Sequence, residues 1–168
     1  MMARSFEGRM HVFGDNIDTD QIYPGQYLDV TDHQEMASHC MQGASDTFHR
    51  DFVAGDMIIA GTNFGCGSSR ENAAIAISVR GVSCVVAKSF ARIFYRNALN
   101  LGLPLIVCAD IERLKAQGQQ LKVDLAKGQI SNLDSGLTAD IEPISDYALR
   151  ILDAGGIKPL MLQQEAAD

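Results

Sequence analysis

Residues 61–75 read GTNFGCGSSRENAAI, with Gly65 and Gly67 set just before Ser68, Ser69 and Arg70, where a helical pattern begins. One reading is a bare turn between a strand and a helix. The other is a loop at which an anionic ligand meets backbone N–H groups, hydroxyls and a guanidinium together. The first N–H groups of a helix have no internal acceptors and sit at the positive end of its dipole, so a carboxylate or phosphate is stabilised there. Gly65 and Gly67 would allow close backbone approach, and Arg70 would supply a planar, bidentate donor suited to a carboxylate. The stretch has no Gly-Lys-Ser/Thr and no GxGxxG spacing, so nucleotide binding is disfavoured.

Residues 14–30, GDNIDTDQIYPGQYLDV, form a second polar segment dense in Asp, Gly and Pro and read as a loop. Asp18 and Asp20 there suit either Asx-turns and caps or a supporting role at a site. Lys88, Arg92 and Arg96 form a basic stripe, read either as a solvated face with local ion pairs or as a docking surface. The four cysteines, Cys40, Cys66, Cys84 and Cys108, show no CxxC pair and no zinc or iron–sulfur spacing, so this chain by itself is expected to bind no metal. Cys84 and Cys108 lie in or beside apolar runs and read as small buried hydrophobes, whereas Cys66 sits inside the glycine loop with no role assigned. His11, His33, His39 and His49 lack paired spacing and read as surface or packing residues.

The elements needed to position these residues follow from hydrophobic periodicity. DMIIA (56–60) is a buried strand running into the glycine loop, 69–81 is helical with a stop at Gly81, and VSCVVAK (82–88) is a second strand. A second helix over 89–102, with Ser89 as its cap and Gly102 as its stop, leads to a third strand at 103–107. Two successive βαβ units imply a parallel sheet with right-handed crossovers, and the glycine loop then lies at the C-terminal ends of the strands, where open α/β sheets bind ligands. HVF (11–13) opens a short strand, and 31–43 is a short helix capped by Thr31 or Asp32. After a short polar helix in 110–118, residues 119–144 alternate in period two with turns at KG and DSG, an antiparallel β region. A capped helix runs from about Ser145 to Ala154, and the tail 163–168 is expected to fray. The expected fold is α/β: a parallel βαβαβ core with an antiparallel C-terminal β region.

The 168 residues, 46% of them hydrophobic, suit a single domain over 1–168 with a continuous core. A net charge of −7 disfavours any non-specific hold on nucleic acid or an anionic membrane, both of which need clustered Lys and Arg. No signal-peptide pattern and no run of about 18 apolar residues is present, so a soluble, cytoplasmic protein is expected.

Three segments in order, GDNIDTDQIYPGQYL, NFGCGSSRENA and KSFARIFYRNALNLGLPLI, together resemble the aconitase-type swivelling β/β/α domain. With LKVDLAKGQISNLDSG following, the chain from Gly8 to about Leu160 is similar to the small subunits of 3-isopropylmalate dehydratase. The resemblance implies a hydro-lyase of leucine biosynthesis that moves a hydroxyl between neighbouring carbons of a malate derivative through an unsaturated dicarboxylate. It also implies a larger partner subunit carrying a [4Fe–4S] cluster, with no cofactor bound by this chain. Carried over, Ser68 is the base, Arg70 holds a substrate carboxylate with Ser69 and Gly67 beside it, and Asp20 supports catalytic groups, through a histidine of the partner.

In relatives of this type the segment corresponding to GQYLDVTD (25–32) reads the variable substituent, which falls here on Leu28, Asp29 and Val30. No Arg or Lys occurs between Arg9 and Arg50, so a third carboxylate would find no cation in this loop and Asp29 would repel it. Malates with a small alkyl group are therefore expected over citrate-like or homocitrate-like substrates. The alternatives are a related dehydratase acting on dimethylmalate, homoaconitate or aconitate, and a non-catalytic anion-binding or regulatory module. RNA binding is disfavoured by the acidic charge and the lack of an RGG tract or aromatic-basic platform.

Overall fold

The computed structural model describes residues 2 and 4–167. Strand β1 (Ser5–Val12) opens the chain and is followed by three short helices, α1 (Thr19–Ile22), α2 (His33–Ser38) and α3 (Phe48–Asp51). The parallel part is β2 (Met57–Ile59), α4 (Glu71–Arg80), β3 (Val85–Ala87), α5 (Arg92–Asn100) and β4 (Leu105–Val107). Then come α6 (Ile111–Leu114), β5 (Gln120–Asp124), β6 (Gln129–Asn132), β7 (Thr138–Asp140), α7 (Asp146–Ala154) and α8 (Ile157–Ala167).

One seven-stranded sheet runs β4-β3-β2-β1-β5-β6-β7. Its halves meet within a single strand: Met10–Val12 of β1 pairs in parallel with Met57–Ile59, while Ser5–Arg9 pairs antiparallel with Gln120–Asp124. β1 is thus longer than the HVF strand expected from sequence. The extension is possible because Gly8 passes so close to the chain that a Cβ there would collide with the Gly55 carbonyl. The parallel strands are buried runs, as a sheet covered on both faces requires. In the antiparallel half burial alternates, with Leu121, Val123, Ile130 and Ala139 facing inward.

The alternation divides the core in two. Ile58, Val85 and Ala87 face a cluster with Tyr23, Phe48, Phe64, Ile77 and Phe94, while Met57, Ile59 and Val86 face Ile106, Ile111, Leu121, Val123 and Ile130. α4 buries Ala73, Ala74, Ala76 and Ile77, small enough for α2 and α5 to pack close to it, and stops at Gly81 with φ +91°.

Three local expectations are corrected. Residues 14–30 are not all loop: Asp18 and Gln21 form a reciprocal capping box that starts α1, and Gly25–Tyr27 make a 3₁₀ turn. Ser89 does not cap α5, because its hydroxyl accepts the Asn63 N–H at 2.8 Å, and Phe64 pairs with Phe90 to hold 89–91 extended until Arg92. The tail expected to fray continues α8 to Ala167, in keeping with the helix-favouring run LMLQQEAA, although residues 161–167 are all exposed. Asp168 lies outside the described residues. No helix among the described residues is long and apolar enough to cross a membrane.

Candidate active site

Three connections meet beyond the C-terminal ends of β1, β2 and β3, and each carries one of the segments singled out from sequence. The segment after β1 is laced to the glycine loop by Asn16 N–H to Thr62 O, Gly65 N–H to Ile17 O and Thr19 N–H to Cys66 O, each 2.8 Å. The Thr19 hydroxyl donates to Ser68 O at 2.8 Å. The segment after β3 joins through Phe64 N–H to Ser89 O and Ala91 N–H to Phe64 O, at 3.1 and 2.9 Å. Hydrogen bonds from both neighbours therefore hold the glycine loop in place.

The glycines are explained by this crowding. Gly65 has φ +85° and a Cβ there would lie inside the Phe94 side chain, so its open side is filled by protein rather than kept for a ligand. Gly67, with φ +94°, is exposed and lies against Asp18 and Thr19.

Beside the loop is a cleft of about 180 Å³, with Gly67, Ser68, Ser69 and Arg70 on one wall and Arg92, Ile93 and Asn97 of α5 on the other. Ser68 and Ser69 are exposed, and Arg70 occupies the N-cap of α4 without a side-chain cap bond; the Ala73 N–H turns back to Arg70 O at 3.3 Å, and the N–H groups of Glu71 and Asn72 are left to a ligand or water. Arg70 Nη1 donates to Asp20 Oδ1 at 2.9 Å, and the same oxygen accepts the Gly25 N–H at 2.9 Å. The Arg70 hydrogen bond, then that of Gly25, holds the Asp20 carboxyl below the usual carboxylate range. Within the chain, then, Asp20 orients Arg70. Asp18 orders the loop through its capping box.

Leu28, Asp29 and Val30, the residues expected to read the substituent, do not line this cleft. Leu28 is 42% exposed, Asp29 is exposed, and Val30 is half-buried against the core cluster. Their segment is clamped from behind: the Tyr27 ring stacks on His39 with centroids 3.5 Å apart, its hydroxyl accepts from Gln42 Nε2 at 3.0 Å, and its carbonyl accepts the Tyr23 hydroxyl at 2.7 Å.

The basic stripe dissolves into separate roles, since Lys88 pairs with Glu112 at 3.3 Å, Arg96 is exposed and Arg92 enters the cleft. Arg92 is the residue that sequence reasoning left without a site, although the helix start after a parallel strand marks the same sheet edge as Ser68. Cys40, Cys84 and Cys108 are buried, and burial pushes the Cys40 and Cys84 thiols up to about 12. Cys66 is partly exposed, and among the described residues no three His, Cys, Asp or Glu side chains gather to hold a metal. His11 is buried against Asp56 at 2.9 Å as a packing residue.

Residues 15–109, more than half of the chain, match the family described as the Aconitase C-terminal domain. A 3-isopropylmalate dehydratase small subunit of Methanopyrus kandleri is 52% identical over 163 residues, 97% of this chain and 96% of that one. A methanogen homoaconitase small subunit of Methanothermobacter thermautotrophicus is 49% identical over 157 residues, covering 93% and 90%. The crystal structure of a 3-isopropylmalate dehydratase from Methanocaldococcus jannaschii superposes with a TM-score of 0.93 at 45% identity, covering 97% of this chain and 96% of that one. With the three laced connections and this match along the chain, the protein belongs to the aconitase superfamily, among the small subunits of the isopropylmalate dehydratase type.

Proposed function

We propose that the chain acts as a single swivelling domain, the small subunit of a cytoplasmic heteromeric hydro-lyase that interconverts 2-isopropylmalate and 3-isopropylmalate by dehydration and rehydration. The observation that carries this reading is the joint placement of Ser68 and Arg70 at the start of α4, with Arg70 oriented by Asp20, on one wall of a cleft at the ligand-binding edge of the sheet.

The chemistry required of this chain is removal of a proton from a carbon next to a carboxylate. A serine hydroxyl is too weak a base for that unless its alkoxide is stabilised. Unsatisfied N–H groups and the dipole at the α4 start, with Arg70 alongside, form preorganised electrostatics worth about 3–4 kcal/mol per well-placed donor. Arg70 holds a carboxylate through its paired N–H groups, and Asp20 keeps the guanidinium from swinging into solvent. The hydroxyl's departure needs a Lewis acid. We assign it to a [4Fe–4S] cluster on a larger partner subunit. A cleft of about 180 Å³, open to solvent at Ser68, suits a site whose far wall belongs to that partner.

Leu28 and Asp29 lie outside the cleft but follow Gly25, whose N–H shares Asp20 Oδ1 with Arg70, so for a substituent projecting from the cleft we assign Leu28 to an alkyl group and Asp29 to exclusion of a third carboxylate, residues 10–49 containing no Arg or Lys. Val30, half-buried against the core cluster, is proposed to add apolar contact through its exposed part. The homoaconitase name of one relative makes a tricarboxylate the competing reading for this loop. The test is anaerobic mixing with an iron–sulfur large subunit of the isopropylmalate dehydratase type: the isolated chain should be colourless and inactive, and activity on 2-isopropylmalate should appear on mixing. Iron–sulfur absorbance or turnover by the chain alone would contradict the proposal.

A further inference from the structure

Arg92 stands in an unusual electrostatic position. It is the first residue of α5, where the positive end of the helix dipole disfavours a cation. Among the described residues it forms no ion pair, in a chain with 21 acidic side chains and a net charge of −7. Of the cations nearest it, Lys88 is matched to Glu112 and Arg70 to Asp20, while Arg96, one turn further along α5, is exposed and does not line the cleft. Its side chain lines the same cleft as Ser68 and Arg70, and its helix is held against the glycine loop because Phe94 fills the space beside Gly65.

The charge balance of the cleft follows. The Arg70–Asp20 pair is neutral as a unit, so of these paired and unpaired groups Arg92 leaves the net positive charge, against a ligand that carries two carboxylates. The starts of α4 and α5 both border the cleft, and an anion between them would be favoured by both dipoles while relieving the cost at Arg92.

We propose that Arg92 is a second carboxylate-binding residue: Arg70 takes one carboxylate of the malate-type substrate and Arg92 takes the other, fixing the ligand's orientation over Ser68. This rests on the reading of the cleft as the substrate site. Arg92 is exposed and forms no ion pair among the described residues, so Arg92→Gln should fold and assemble normally.

In the reconstituted enzyme, Arg92→Gln should raise KM for 2-isopropylmalate roughly 10- to 100-fold, as expected for loss of a charge-assisted hydrogen bond, with kcat changed only a few-fold. Arg92→Lys should recover part of the loss, because charge without the fork remains. Titrating the ¹⁵N-labelled isolated chain with malate should shift the amides of Ser68, Arg70 and Arg92, and Arg92→Gln should abolish the response. Wild-type KM in Arg92→Gln, or a loss traced by gel filtration to weaker subunit assembly, would overturn the assignment and make Arg92 inert or a docking residue. If Ser68→Ala is inactive while Arg92→Gln behaves as wild type, this inference alone fails; if Ser68→Ala is fully active, the reading of the cleft fails first.

Discussion

Replacing Gly65 by alanine should break the joint that aligns Ser68 with α5. Gly65 has φ +85°, a region that costs an L-residue about 1–2 kcal/mol. Its new methyl would also fall inside the Phe94 side chain, which is only 3% exposed and cannot swing out, and overpacking of this kind costs about 1–3 kcal/mol. The two effects together predict about 2–5 kcal/mol of destabilisation, or about 4–20 °C in Tm for a chain of this size. Two controls separate them. Gly128→Ala, at φ +66° with open space around it, should show the backbone cost alone. Gly65→Ala combined with Phe94→Ala should be less destabilising than the sum of the two single changes, because the collision is gone. Urea denaturation followed by circular dichroism gives all four values. A Gly65→Ala chain within about 0.5 kcal/mol of wild type would refute the packing described for this loop.

Arg70→Lys in the reconstituted enzyme should raise KM more than it lowers kcat, since an ammonium cannot reproduce the bidentate fork or the present bond to Asp20; steady-state kinetics give the split. Asp29→Arg should increase the kcat/KM ratio of homocitrate to isopropylmalate, and no change in that ratio would remove Asp29 from substrate selection. Burial alone would raise the Asp56 carboxyl, but hydrogen bonds from His11, the Val53 N–H and Arg9 leave it lowered overall. A depressed carboxylate contributes stability that is full above its unfolded pKa and is lost as pH falls through the folded one, so this part of the stability should begin to fall below about pH 4 and be gone once the folded carboxyl is protonated. Asp56→Asn should flatten the acid limb of a stability-versus-pH curve measured by urea denaturation.

The features legible in the sequence were those set by neighbours along the chain. MII, VVA and LIV are continuous apolar runs that suit only buried strands, and Ser145 and Gly81 mark helix ends through local chemistry. Ser68 and Arg70 were found in the same way, because a helix start and the residues on it are contiguous. What escaped depends on distant partners. The Ser5–Arg9 half of β1 is a strand because β5 pairs with it, and the start of α5 is delayed because Phe64 pairs with Phe90. Arg92 reaches the cleft through that same pairing, which no local pattern encodes. Leu28, Asp29 and Val30 are contiguous in sequence, but the burial that separates exposed Leu28 and Asp29 from half-buried Val30 depends on the distant core cluster against which Val30 packs.

The central claim is that this chain supplies the base, and one substitution tests it. With the large subunit and its cluster held constant, the rate of 2-isopropylmalate dehydration should be compared anaerobically between the wild-type chain and Ser68→Ala. Loss of a positioned acid–base group predicts a fall in kcat of about 10²–10⁴, with assembly and KM nearly unchanged. Turnover by the Ser68→Ala complex at the wild-type rate would contradict the account and move the base to Ser69 or to the partner.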